Sequence, residues 1–371
     1  MRFDFLGARR IVIKIGSATL VDKRTGLRRG WLASLAEDIV ALRARGTQVV
    51  IVSSGAVALG SPLLGPDFNR SRLADSQAAA AVGQIKLAHA YQETMARHDI
   101  TVAQILLTLD DTEVRRRYLN ARETIEALVR LGALPVINEN DTVATTELRY
   151  GDNDRLAARV AQMISADCLV ILSDVDGLYS ADPSEDASAT LFTHIPRITQ
   201  EIEDMAGEPK ADGVGSGGMI TKLAAAKIAV PSGCHVLIVN GKPDHPIGRY
   251  RDTGLGTWFE AHEAPLTVRK QWIAGTLKPT AVLTVDEGAE SALRQGKSLL
   301  AAGVTAIRGV FERGDTVTVQ NADGRELARG LVAYSSDEAR RIMGRRSDAI
   351  EDLLGYKGRG AVIHRDHLVL L

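Results

Sequence analysis

The chain has 371 residues, a length that accommodates two or three domains, and its 45% hydrophobic and 25% charged residues are ordinary globular composition. A formal net charge of -1 leaves no single-sign field to hold the protein on nucleic acid or a lipid surface. No run approaches the ~18 consecutive apolar residues of a membrane span, and Met1-Arg2-Phe3-Asp4-Phe5 leads into the first strand without a signal-peptide core, so a cytoplasmic protein is expected.

Along the chain, short β-branched runs alternate with helical patterns. The first run, 10–15, is followed by a helix over 31–45 with Leu32, Leu35, Ile39 and Leu42 on one face and Gly46 as its cap. A strand at 48–52 leads to an alanine-rich helix over 76–98, for which Asp75 is the expected N-cap. Then come a strand at 101–107, a helix over 121–131 ending at Gly132, and strands at 134–137 and 168–172 flanking a helix over 154–165. A glycine-rich segment, 207–218, is expected to be a mobile loop. A helix over 221–230, stopped by Pro231 and Gly233, precedes the last run at 235–239. Near-continuous apolar strands are buried on both faces, which predicts a three-layer αβα sandwich around a mainly parallel sheet. Cys168 and Cys234 lie in or beside apolar runs and read as buried reduced thiols.

The pattern changes after about residue 260. Short strands are predicted at 281–285, 316–320, 329–333 and 361–364, with Asp323-Gly324 as a hairpin turn. The expected division is a domain over 1–262, a linker over 263–277, and a small β-rich domain over 278–371.

In a parallel sheet, ligands sit beyond the carboxyl ends of the strands. The first exit, Lys14-Ile15-Gly16-Ser17, pairs an ammonium with a glycine turn, as phosphate binding requires; the plain alternative is a surface lysine beside a turn. Ser53-Ser54-Gly55-Ala56 reads as an anion cradle or an ordinary helix cap. Asn138-Glu139-Asn140-Asp141-Thr142 and Gly151-Asp152-Asn153-Asp154 form a polar cluster denser than turns alone require. Ser173-Asp174 is a nucleotide contact or an Asx turn. Gly215-Ser216-Gly217-Gly218-Met219-Ile220-Thr221-Lys222 again joins backbone donors to a lysine. Gly213, Gly215 and Gly218 match a dinucleotide-binding spacing, but polar residues 208–212 precede them where a strand is needed. Gly296-Lys297-Ser298 ends like a Walker loop, yet Ser291 replaces its first glycine. Two lysines at separate glycine turns with acids between them suggest phosphoryl transfer without a Walker motif.

These six segments, in order, resemble the amino acid kinase family. Within it, the Asn-Glu-Asn-Asp and Gly-Asp-Asn-Asp runs and Arg116-Arg117-Tyr118-Leu119-Asn120 are similar to the branch that phosphorylates the side-chain carboxylate of free L-glutamate at the start of proline biosynthesis. Thr284-Val285-Asp286-Glu287-Gly288-Ala289, Gly314-Asp315 and Val362-Ile363-His364-Arg365-Asp366 resemble a PUA domain. The resemblance implies ATP and Mg2+, the metal being carried by the phosphates rather than by protein ligands. It implies that Lys14 and Lys222 neutralise phosphate charge while Asp154 holds both lysines. Gly16, Ser17, Ser173, Asp174, Ser216, Gly217, Gly218, Met219, Ile220 and Thr221 would contact ATP, with Ser173 and Ser216 standing where threonine is also common. Ser54, Gly55, Asp141, Asp152 and Asn153 would bind glutamate. It further implies a homo-oligomer, feedback inhibition by proline, and transfer of the product to a glutamate-5-phosphate reductase.

Two alternatives stay open at this level. One is a sister kinase acting on acetylglutamate, aspartate, carbamate or a nucleotide. The other is an RNA-binding PUA protein, although Arg340, Arg341, Arg345 and Arg346, spaced along an expected helix, read as a solvated face or subunit contact.

Overall fold

The computed structural model describes residues 7–22, 24–65, 67–69, 72–143, 153–186, 188–206, 218–265, 267, 279 and 281–370. They belong to two compact units, Met1–Pro265 and Leu266–Leu371. All of the expected mobile loop but Gly218, and most of the expected linker, lie outside the described residues. No helix among the described residues is long and apolar enough to cross a membrane.

The first unit runs β1 (Arg10–Ile15), α1 (Arg29–Ala44), β2 (Gln48–Ser53), α2 (Leu73–Ala96), β3 (Val102–Leu107), α3 (Arg115–Arg130), β4 (Leu134–Glu139), α4 (Asn153–Met163), β5 (Cys168–Ser173), β6 (His194–Ile195), α5 (Met219–Ala229), β7 (His235–Asn240), α6 (Pro246–Thr253) and β8 (Thr257–Phe259). The strands form one sheet in the order β3-β4-β2-β1-β5-β7-β8-β6. Neighbours are parallel except β8 against β7. β6 and β8 went unread in the sequence because two or three residues carry no measurable alternation.

Because side chains alternate along a strand, β1 divides the first unit into layers. Ile11, Ile13 and Ile15 pack with Leu32, Leu35 and Ile39 of α1 and with Leu87 and Tyr91 of α2. Val12 faces the other way, with Ile125 of α3, Leu156 and Val160 of α4, and Ala225 and Ala226 of α5. The sheet is thus sandwiched between helices. The same parity sends Lys14 to the side of α4 and α5.

Two helix starts differ from expectation. α3 begins at Arg115, not at 121; its opening Arg115-Arg116-Arg117 carries no apolar stripe to announce it. α2 begins at Leu73, so Asp75 is not the cap but lies in the first turn, where it accepts from the Asn69 N–H at 2.8 Å. Gly46 and Gly132 do end α1 and α3, with φ of +86° and +81°.

A short helix, Ala56–Gly60, lies directly on α2. A methyl added at Gly83 would overlap the Ala56 carbonyl oxygen, and one at Gly60 would overlap that of Ala79. In an open helix, Gly→Ala stabilises by ~1 kcal/mol. Here Gly83→Ala is expected to destabilise by about 1–3 kcal/mol through overpacking. Urea unfolding reads the sign directly, and an unchanged or raised midpoint refutes the close crossing.

The second unit contains β9 (Ala281–Val285), α7 (Glu287–Arg294), β10 (Val304–Gly309), β11 (Thr316–Gln320), β12 (Glu326–Leu331), α8 (Ser336–Ile342), α9 (Ile350–Leu354) and β13 (Leu368–Leu370). Its sheet order is β10-β9-β11-β12-β13, over a core that includes Leu283, Phe311, Val317, Val319 and Ile342. Asn321 and Gly324 close the β11–β12 hairpin, Gly324 at φ +82°. Three readings need correction. The expected strand at 361–364 is only a single bridge, Ile363 to Leu299, and the closing strand is β13. The strand expected at 329–333 is β12, beginning at Glu326. Arg345 and Arg346 lie beyond the end of α8, so the four arginines, all exposed, do not share one helix.

Candidate active site

β4, β2, β1 and β5 are adjacent and parallel, so their carboxyl ends open on one edge of the sheet. Lys14 is level with Val52 of β2 and Ile171 of β5. Gly16 follows β1, and Ser17 starts a single helical turn, Ser17–Leu20. A methyl at Gly16 would stand 3.8 Å from Lys14 Nζ, which places this turn against the ammonium.

The centre of the site is a buried carboxylate between two ammonium groups. Asp154, second residue of α4 and 2% exposed, has Oδ1 2.6 Å from Lys14 Nζ and Oδ2 3.6 Å from Lys222 Nζ. Thr221 Oγ1 also donates to Asp154 Oδ2, at 2.7 Å. Burial by itself pushes the Asp154 carboxyl up, but the charges of Lys14 and Lys222 outweigh it and hold it below its ordinary value. Burial lowers the Lys222 ammonium, reinforced by Lys14 and opposed by Asp154 and Asp174. Two cations around one anion leave an excess positive charge, nearly dry, suited to an anionic ligand. Among the described residues no three His, Cys, Asp or Glu side chains gather as a metal cage. Asp154, with both oxygens turned to ammonium groups, is no spare metal ligand.

Beside this triad lies a cluster of amides. Asn153, the first residue of α4, donates from Nδ2 to Ser53 O (3.1 Å), Ser54 Oγ (2.8 Å) and Asn138 Oδ1 (3.1 Å). Asn138, at 2% exposure, donates in turn to Gln84 Oε1 of α2 at 2.7 Å. Gly55 has φ +113°, with Val21 Cγ2 3.2 Å from where its side chain would begin, so only glycine turns the chain there from β2 into its helix. Asp141 follows β4, and burial raises its carboxyl to about 6.

On the far side of β1, Ser173 Oγ donates to Asp174 Oδ1 at 3.3 Å, and the Gly241 N–H donates to Ser173 O at 2.7 Å. Asp174 is exposed. Gly218 precedes α5, and Met219, Ile220 and Thr221 form its first turn, on the same helix as Lys222. The structure therefore brings Lys14, Asp154, Thr221 and Lys222 together, and Ser54 with Asn153. Asp152, Ser216 and Gly217 lie outside the described residues. Sequence reasoning left Asn138 and Gln84 out of the site. Asn138 stood inside a suspicious polar run, whereas Gln84, one polar residue in an alanine-rich helix, carried no signal at all.

Residues 9–240 match the model of the amino acid kinase family, and residues 281–354 match that of the PUA domain. The chain is 58% identical over 366 residues to a glutamate 5-kinase of Paramagnetospirillum magneticum, covering 98% of each chain. It is 56% identical to glutamate 5-kinase 1 of Rhizobium meliloti, covering 98% of this chain and 92% of that one. Among solved structures it is similar to a UMP kinase from Ureaplasma parvum, at 17% identity and a TM-score of 0.47, over 68% of this chain and 98% of that one.

Proposed function

The chain belongs to the amino acid kinase family, and on that premise we propose that it transfers the terminal phosphoryl group of ATP to the side-chain carboxylate of L-glutamate. ATP enters as its magnesium complex, and the products are ADP and L-glutamate 5-phosphate. The observation that carries this reading is the Lys14–Asp154–Lys222 triad, two ammonium groups held by one buried carboxylate at the open edge of the sheet. The high identity to glutamate 5-kinases supports the choice of acceptor.

The mechanism follows from charge. A glutamate side chain, with a reference pKa of about 4.3, is already an anion at neutral pH and needs no general base. The obstacle is the approach of two anions, and the protein's work is alignment and neutralisation. Lys14 and Lys222 face the transferring phosphoryl oxygens, and Asp154 holds the two lysines at a set separation. The turn at Gly16-Ser17 supplies backbone donors to the phosphates, the segment Ser216 to Thr221 contacts ATP, and Ser173 and Asp174 meet the nucleotide. Ser54, Gly55, Asp141, Asp152 and Asn153 hold glutamate. In this reading the enzyme opens proline biosynthesis in the cytoplasm, as a homo-oligomer inhibited by proline, and passes its product to a glutamate-5-phosphate reductase.

The test is ADP release with ATP, magnesium and glutamate in the presence of hydroxylamine, which traps an acyl phosphate as its hydroxamate. Hydroxamate is expected with glutamate and not with acetylglutamate, aspartate or carbamate. Product from one of those and none from glutamate overturns the assignment.

Asp141 makes the reading sensitive to pH. Its carboxyl is raised from 3.8 to about 6 by burial, so protonation competes with a bound ammonium from pH 6 downward. KM for glutamate is expected to climb below that pH, and Asp141→Asn to show a high KM with no such slope. Stability runs in the opposite direction. The folded state binds this proton more tightly than the unfolded state, so ionised Asp141 lowers stability above about pH 6. Asp141→Asn should therefore melt higher than the parent at pH 7, the gap closing between pH 6 and 3.8. A KM slope that persists in the variant refutes the role.

A further inference from the structure

The amide cluster permits only one orientation of Asn153. Its Nδ2 faces Ser53 O, a backbone carbonyl that can only accept, and Asn138 Oδ1. Asn138 Oδ1 is itself fixed as an acceptor, because the Glu139 N–H donates to it at 2.9 Å. The other end of that amide is engaged too, Nδ2 donating to Gln84 Oε1 at 2.7 Å. Turning Asn153 over would set its oxygen against two acceptors in a site only 5% exposed. The amide is therefore locked with its nitrogen toward β2 and β4. Its Oδ1 points away from them, buried and without a hydrogen-bond partner among the described residues. An orphaned buried acceptor costs ~1–3 kcal/mol, a cost that a ligand donor removes.

We propose that Asn138 and Gln84 are positioning residues that lock the Asn153 amide so that its oxygen receives the α-ammonium of the acceptor amino acid. The inference rests on the glutamate reading above and deepens it: the lock makes a free amine a requirement for binding. Neither Asn138 nor Gln84 touches the substrate. An ammonium brings three donors and a positive charge to Asn153 Oδ1, whereas a dicarboxylate lacking the amine leaves that oxygen orphaned.

The test compares KM for glutamate with the inhibition constant of glutarate, which has the same two carboxylates and carbon chain but no amine. Asn138→Leu keeps the volume and removes one of the two acceptors, so that only Ser53 O still opposes a turn of the Asn153 amide. KM for glutamate is expected to rise about tenfold, the worth of one hydrogen bond to a charged group, with the glutarate constant unchanged. Asn138→Asp keeps an acceptor for Glu139 N–H and Asn153 Nδ2, and Gln84 can turn its amide to donate, so discrimination should survive. A purely structural role would raise both constants together, in either variant, and that result overturns the proposal, as does an unchanged ratio in Asn138→Leu. Should Asn138→Leu not fold, Gln84→Leu decides, with an expected severalfold shift in the same ratio and the same overturning result. Absence of hydroxamate from the parent enzyme with glutamate would instead refute the substrate reading itself, before any variant is compared.

Discussion

Replacing Lys14 or Lys222 by alanine is expected to lower turnover by about 10²-fold or more, the usual loss for one preorganised group that stabilises transition-state charge. Both lysines are almost wholly buried, Lys14 at 8% and Lys222 at 5% exposure. Water therefore screens them little. Since two anions must meet in line, losing either charge raises the barrier to transfer more than the cost of binding. The effect should fall on kcat, with KM for glutamate little changed. Methionine at either position keeps the aliphatic stem and separates charge from packing. Burial lowers the Lys222 ammonium, only partly offset by Asp154, so turnover should also decline on the alkaline side before an ordinary surface lysine would lose its proton. Near-normal turnover in a folded Lys222→Met protein would remove Lys222 from the chemistry, and the same holds for Lys14.

Asp154→Asn is expected to cost both activity and about 3–5 kcal/mol of stability at neutral pH, the range for removing one partner of a buried ion pair. The carboxylate answers both lysines, Oδ1 to Lys14 and Oδ2 to Lys222. An amide there leaves two buried ammonium groups facing each other without the carboxylate that answers both. Burial alone would raise the Asp154 carboxyl, but the lysines hold it below 3.8. Its contribution is thus fully present above that value and disappears as pH falls through the lower folded-state value. The stability gap between parent and variant should accordingly be wide at pH 7 and narrow on strong acidification. Pairing Asp154→Asn with Lys222→Met should cost less than the two changes summed, because the second removes a charge the first had stranded. Strict additivity in urea unfolding would show that these groups do not act as a unit.

Much of the fold was legible from local pattern. The six principal strands and the helices between them follow from apolar runs and 3.6-residue stripes, and Gly46, Gly132 and Pro231 end helices where the chain must turn. What failed was short, or lacked a stripe. β6 and β8 are too brief to alternate, the arginine-rich start of α3 shows no apolar face, and residues 361–364 look like a strand but form only an isolated bridge at Ile363. Asp75 has the chemistry of a cap, yet the helix had already begun at Leu73.

For the site, local residue pattern alone shows which chemical groups stand at the strand exits: a lysine before glycine, serines, a run of amides and acids, and a second lysine on a helix. That information is local, since turn chemistry and strand ends are written in a few adjacent residues. Which of these groups meet is set by how the chain packs. Lys14 and Asp154 are joined because β1 turns Lys14 toward α4 and α5, and because parallel crossovers return α4 to that face. The same packing brings Gln84 of α2 to Asn138 and lifts Asp141 by burial. Contacts and desolvation of this kind depend on residues far apart in the chain, and no local pattern encodes them.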